Sequence, residues 1–207
     1  MLRKITNLVR RLTLSNYFYV ARHNKATCSW NAKKTRMYVA GKGNLVQIDD
    51  SVESYDLRIS ILGNNNRLII RKDCFIGGAL ELIGDGNVIE IGEHSKCGSA
   101  NIFAHHGTSI HIGNGCLFSD QIQIRTTDSH SILDENGKRI NPEKNIVLED
   151  RVWLGRGVTV LKGSYIESDV VVGTMSVVSK RVRKNTLVAG TPARVIRENI
   201  TWSGDVL

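Results

Sequence analysis

Apolar residues along most of this chain recur in short alternating runs. LVQI ends at Ile48, RLII at Ile70, VIEI at Ile91 and SIHI at Ile112, and such alternation is the period of a half-buried strand. Each run follows a turn-like cluster: GKGN from Gly41, GNNN from Gly63, GDGN from Gly84 and HHGT from His105, at spacings of 22, 21 and 21 residues. A fixed period of this length is the signature of a solenoid. Within each period the anchors fall six apart: Ile70, Ile76 and Leu82, then Ile91, Cys97 and Phe103, then Ile112, Phe118 and Ile124. After an interruption the steps of six resume at Leu148, Leu154, Val160, Ile166, Val172 and Val178. Small or β-branched residues stand four after the anchors, at Cys74, Ser95, Cys116, Val152, Val158, Ser164, Val170, Ser176 and Val182. They suit a narrow interior in which coils stack at about 4.8 Å. The pattern predicts an all-β solenoid of triangular section, with three short strands per coil and one lengthened corner.

The first 40 residues read differently. Leu2, Ile5, Leu8, Val9 and Leu12 form a helical stripe beside Arg3, Lys4, Arg10 and Arg11. This predicts a short amphipathic helix that caps the open end of the solenoid or attaches to an anionic membrane surface. The expected organisation is a basic helical or capping segment over 1–40, a β-helix over 41–182 with an extruded loop at about 131–145, and a tail over 183–207.

Charge sharpens this division. Residues 1–48 hold ten Lys or Arg and no acid, 49–177 hold 12 basic and 18 acidic residues, and 178–207 hold six and two. Basic ends around an acidic middle attract anions: an acidic polymer, phosphates or an anionic membrane. With 207 residues, 41% hydrophobic, two prolines and no apolar run near 18 residues, the chain reads as a soluble protein with no membrane span. The absence of a secretory pattern at residues 1–14 points to the cytoplasm. Four cysteines without a CxxC pair suggest neither a zinc knuckle nor a disulfide framework. Cys74, Cys97 and Cys116 occupy core slots as small hydrophobes.

Candidate chemistry lies where the repeat fails. Between Ile124 and Leu148 the register is lost over TTDSHSILDENGKRINPEKN, a segment that must leave the stack as a loop and return. At its root stand Asp128, Ser129 and His130. A neutral imidazole can take a proton from a hydroxyl without binding metal, which makes His130 the candidate general base. Asp128 either orients that imidazole or caps the turn.

The hexads of residues 148–177, LEDRVWLGRGVTVLKGSYIESDVVVGTMSV, followed by VAGTPARVIRE at 188–198, resemble the hexapeptide-repeat acyltransferases, and among them the bacterial polysaccharide and capsule O-acetyltransferases. The resemblance implies a left-handed parallel β-helix, a homotrimer with sites between subunits, acetyl-CoA as donor, and no metal. It makes His130 the general base of a D-x-H segment before an extended loop, and it sets Trp153 against the acceptor. It implies coenzyme A contacts at Gly155, Arg156, Gly173, Thr174, Ser179, Lys180, Arg194 and Arg197. Arg183 stands where many relatives have proline, while Arg181, Arg183 and Lys184 read as a solvated face. The implied acceptor is an acidic or lipid-linked surface glycan, such as polysialic acid or an O-antigen, with peripheral contact at the inner membrane surface as a further expectation and no nucleic-acid partner.

Three alternatives remain open at this point. His106 and His111 have a spacing found in γ-class carbonic anhydrases, which would need His94 or His130 as a further zinc ligand. The acceptor could instead be a small molecule: a free sugar, serine or an antibiotic. A non-enzymatic scaffold would leave the TPARVIRE tail without meaning.

Overall fold

The computed structural model describes residues 16–28 and 30–205. Among them there is no helix, and hence none long and apolar enough to cross a membrane. The chain winds as a parallel β-solenoid of about eight turns. One flat face, the third in each turn, is an eight-stranded sheet running from Lys25–Cys28 through Leu45–Ile48, Arg67–Ile70, Val88–Ile91, Ser109–Ile112, Ile146–Leu148 and Tyr165–Ile166 to Arg181–Val182. The first and second faces share one hydrogen-bonded sheet because Glu53–Leu62, Phe75–Ile83 and Lys96–His105 each bend around the first corner. Beyond them the faces separate. Leu117–Phe118, Trp153–Leu154, Val171–Val172 and Thr186–Ala189 form the first, and Ile122–Arg125, Thr159–Val160 and Val177–Val178 form the second.

The core is a single column. Ile70, Ile76, Leu82, Ile91, Ile112, Phe118, Ile124 and the later hexad anchors are all buried, as are the small residues four after them. Burial pushes the thiol of Cys74 up to about 11 and that of Cys116 to about 12, and raises Cys97 well above the ordinary range. These cysteines therefore fill space and are poor nucleophiles at neutral pH. Phe103 departs from the expected six-step register. A bulge between Cys97 and Ala100 shifts the strand by one residue, so Ala104 turns inward beside Leu82. Phe103 faces outward beneath the guanidinium of Arg125.

The boundary at 41 is also corrected. Tyr17–Val20, Lys25–Cys28, Asn31–Lys33 and Arg36–Ala40 are already strands of the solenoid, because their aromatic and β-branched residues alternate in and out as the later runs do. The helix expected over Leu2 to Leu12 lies outside the described residues. At the other end the coil does not stop at 182. Thr186–Ala189 adds a rung to the first face, and Arg194–Glu198 folds back antiparallel on it, which covers an otherwise open sheet edge.

The second corner, between the second and third faces, explains the lengthened repeat. Asn24, Asn44, Asn66 and Asn87 stack there, all buried. Each side-chain oxygen accepts hydrogen bonds from the backbone N–H and side-chain amide of the asparagine one coil on, at 2.8–3.1 Å. The ladder passes from Asn87 to the backbone N–H of Thr108, and the Thr108 hydroxyl donates to that of Thr126 at 2.7 Å. Thr126 is the first residue of the extruded segment. A continuous polar spine thus fixes where the loop leaves the wall.

Candidate active site

The loop departs at Thr126, earlier than the expected 131, and the wall resumes at Ile146. It is a hairpin. Leu133 bridges Arg139, Ile140 N–H donates to Ile132 O, and Asp134 closes the tip by accepting from the N–H groups of Asn136 and Lys138. Its base is pinned by Asn141, which is buried. The Asn141 amide donates to Asp128 Oδ2 and to the backbone carbonyl of His130, both at 2.8 Å, while its oxygen accepts from the Ile132 N–H at 2.7 Å. Lys162, from the same corner one coil later, donates to Asp128 Oδ2 and to Asn141 O. These contacts, with the Lys162 ammonium foremost, hold the Asp128 carboxyl below its usual range. Arg139 likewise draws Glu143 down to about 2, and Glu143 accepts from the Thr127 hydroxyl.

Asp128 is therefore a loop-root anchor. Its carboxylate is engaged by Lys162 and Asn141, not by His130, so the orienting role is not what the geometry of a single chain displays. His130 is exposed, and its imidazole has no hydrogen-bond partner among the described residues. Its backbone is nonetheless fixed through Asn141, next to Ser129 in a left-handed conformation (φ 67°). The result is a proton acceptor on a rigid mount, open to whatever meets the second corner.

Trp153 lies on the first face, between Leu117 and Val171 of the adjacent coils, and is 37% exposed. The two candidate residues therefore stand on different sides of the prism. Trp153 meets Trp202, whose ring is 5.9 Å away. Trp202 is held in turn by its Nε1–H to Arg151 O at 2.7 Å and by Arg151 Nη2 donating to its own carbonyl at 2.8 Å. Nothing in the sequence repeat signals Trp202, because its partner is 51 residues away.

The candidate donor residues also separate. Gly155, Arg156, Gly173 and Thr174 share the first corner on successive coils, and Ala189 extends that column to Arg194, its strand partner. A Cβ on Gly155 would lie 2.8 Å from Thr174 N, and one on Gly173 would lie 2.9 Å from Ala189 Cβ. Both glycines are thus required by the stacking of the wall itself, whatever lies against it. Ser179 and Lys180 stand instead at the second corner, below the loop. Arg156, Arg194 and Arg197 are exposed and have no carboxylate partner among the described residues. A strip of unpaired cations beside a column of small residues suits a ligand with an elongated, uncharged arm and a phosphate-bearing end.

The remaining histidines have local roles. His105 Nε2 is 2.8 Å from Glu81 Oε1, and burial pushes its imidazole down despite that carboxylate. His106 is a turn residue at φ 58°, and His111 and His94 lie beside Glu90 and Asp73. No cluster of three or more metal-ligating side chains is present among the described residues.

No protein-family model matches the chain. The polysialic acid O-acetyltransferase of Neisseria meningitidis is 35% identical over 170 residues, which is 81% of this chain and 79% of that protein. Among solved structures, the polySia-specific acetyltransferase NeuO superposes with a TM-score of 0.80 at 30% identity, over 92% of this chain and 86% of that one. The polysialic acid O-acetyltransferase OatWY does so with a TM-score of 0.80 at 32% identity, over 93% and 90%. The repeat, the interrupting loop and these likenesses agree: the chain is an acetyltransferase of left-handed β-helix fold and belongs to the hexapeptide-repeat O-acetyltransferase family.

Proposed function

We propose that this protein transfers an acetyl group from acetyl-CoA to a hydroxyl of an acidic bacterial surface polysaccharide, with polysialic acid the foremost acceptor. The observation that carries this reading is the exposed imidazole of His130 on a hairpin root pinned by Asn141 and Lys162. His130 takes the proton of the acceptor hydroxyl as its oxygen attacks the thioester carbonyl. The tetrahedral intermediate collapses with loss of the thiolate, which recovers the proton from the imidazolium, so His130 ends as it began. Arg156, Arg194 and Arg197 hold the donor's phosphates, and Trp153 bounds the acceptor.

His130 and the donor strip belong to different corners, so one chain presents two halves of a site. A homotrimer with its prisms side by side supplies each loop with a neighbour's first corner. The donor sets the reaction in the cytoplasm, with the basic N-terminal segment directed at the acceptor or at the inner membrane leaflet.

The test is mass spectrometry of polysialic acid incubated with the purified protein and acetyl-CoA, with light scattering on the same sample. Chains heavier by whole acetyl units and a particle of three subunits are expected. Unmodified chains would overturn the acceptor assignment, and an active monomer would overturn the shared site.

A further inference from the structure

Far from the loop, the first corner of the early coils holds a hollow of about 250 Å³ lined by Lys34, Arg36, Asp56, Arg58, Gly78 and Ala79, among others. Arg36 and Arg58 are direct register partners on adjacent parallel strands, so two guanidinium side chains leave the same face one strand spacing apart. Like charges in this relation destabilise a sheet. Neither has a carboxylate partner within salt-bridge distance among the described residues, and residues 1–15 contain no Asp or Glu that could supply one. Cations elsewhere on the wall meet carboxylates, Arg71 with Glu90, Lys72 with Glu93 and Arg181 with Glu167 on adjacent coils. Lys34, at the rim, is steadied by donating to the Tyr55 hydroxyl at 2.9 Å and by lying over that ring. Asp56 is the single acid of the lining. With three cations against one carboxylate, the lining is net positive and favours a further negative charge.

Its position along the solenoid gives it meaning. From Tyr17 the outward row runs through Arg36 and Arg58 and continues in register through Ala79, Asn101, Gln123 and Thr159. None of the last four is charged, and Thr159 follows the first corner at Gly155 and Arg156. Five strand spacings separate Arg36 from Thr159, which is about 24 Å at 4.8 Å per coil. Four uncharged positions thus join the donor strip to the arginine pair.

We propose that Lys34, Arg36 and Arg58 form a distal subsite that binds carboxylates of an acidic glycan several sugars from the unit being acetylated. This rests on the glycan reading above and deepens it. The subsite makes the enzyme favour long chains, since a short oligomer that reaches the donor strip cannot also reach the arginine pair.

The experiment compares the full-length protein with an Arg36→Gln/Arg58→Gln double variant, using acetyl-CoA with polysialic acid fractionated into short oligomers and long chains. For the variant, KM for long chains should rise on the order of tenfold with kcat held, while KM for short oligomers and for acetyl-CoA stays put. Salt should raise the wild-type KM for long chains and affect the variant less. Lys34→Gln alone should move the same quantity in the same direction by a smaller factor. Equal kinetics on both length classes would overturn the subsite while leaving the glycan reading intact, whereas no transfer by the wild type to either class would overturn that reading itself. A variant that loses its oligomeric state would assign the arginines to a contact between copies. A variant that instead loses binding to anionic lipid vesicles, with long-chain kinetics unchanged, would assign them to a membrane surface. Either result contradicts the proposal.

Discussion

The indoles of Trp153 and Trp202 lie 5.9 Å apart, centroid to centroid, and tilted by 47°, so the returning C-terminal segment forms one wall of the surface that Trp153 presents. Arg151 ties the two together, bonding to Trp202 at both its indole and its carbonyl and lying 5.0 Å over the ring. Trp202 thus acts as a positioning residue for Trp153. Trp202→Ala should raise the acceptor KM by roughly two- to tenfold, the equivalent of about 0.5–1.5 kcal/mol for an aromatic pair, with little change in the KM for acetyl-CoA. Steady-state kinetics with each substrate varied in turn check this. Restoration by Trp202→Phe would separate ring packing from the lost Nε1–H bond.

Several polar contacts at the loop root converge on one buried amide, that of Asn141. Asn141→Ala leaves the His130 carbonyl and the Ile132 N–H without their side-chain partner and leaves Asp128 Oδ2 to Lys162 alone, at a cost of about 0.5–1.5 kcal/mol for each hydrogen bond lost. The expected outcome is a large loss of kcat with acetyl-CoA binding preserved, read by calorimetric titration of coenzyme A beside turnover. The pH dependence follows from Asp128, whose carboxyl is held below its ordinary value by Lys162 and Asn141. A depressed carboxyl contributes stability that is fully present above its unfolded pKa of about 4 and is lost as pH falls through the folded value. The stability gap between wild type and Asp128→Asn should therefore be constant near neutrality and shrink below about pH 4, as followed by denaturant unfolding across that range.

What the sequence made legible was the part governed by period. The slots at Val152, Val158, Ser164, Val170 and Ser176 are buried as their spacing requires, and the failure of that spacing after Ile124 located the loop. Phe103 was misplaced because a count of six cannot register a bulge. The run over 16–40 was set apart from the solenoid because its strands lack the GxGN corner: Asn24 has the same buried place in the ladder as Asn44, but in RHNK it has no flanking glycines. The site itself depends on contacts between coils. Lys162 reaches Asp128 across 34 residues, and no local motif announces such a pair. Likewise the donor positions implied by the resemblance fall at two corners of one chain, Gly173 at the first and Ser179 and Lys180 at the second, with the strand Val177–Val178 between them.

The donor strip yields to a kinetic test. Phosphate contacts remote from the thioester act alike in the ground and transition states. The double variant Arg194→Gln/Arg197→Gln should raise the KM for acetyl-CoA more than it lowers kcat, and by less with a donor that lacks the nucleotide phosphates. Equal effects on both donors would mean that the arginines only support the antiparallel strand Arg194–Glu198.

The most direct measurement is the turnover of purified His130→Ala with acetyl-CoA and polysialic acid. A positioned general base contributes about 10²- to 10⁴-fold, or roughly 3–5 kcal/mol of barrier. His130 is exposed and its side chain bonds to nothing among the described residues, so the variant should fold, assemble and bind coenzyme A as the wild type does. The account predicts a rate lowered by that factor with coenzyme A affinity unchanged. Turnover equal to that of the wild type would contradict it.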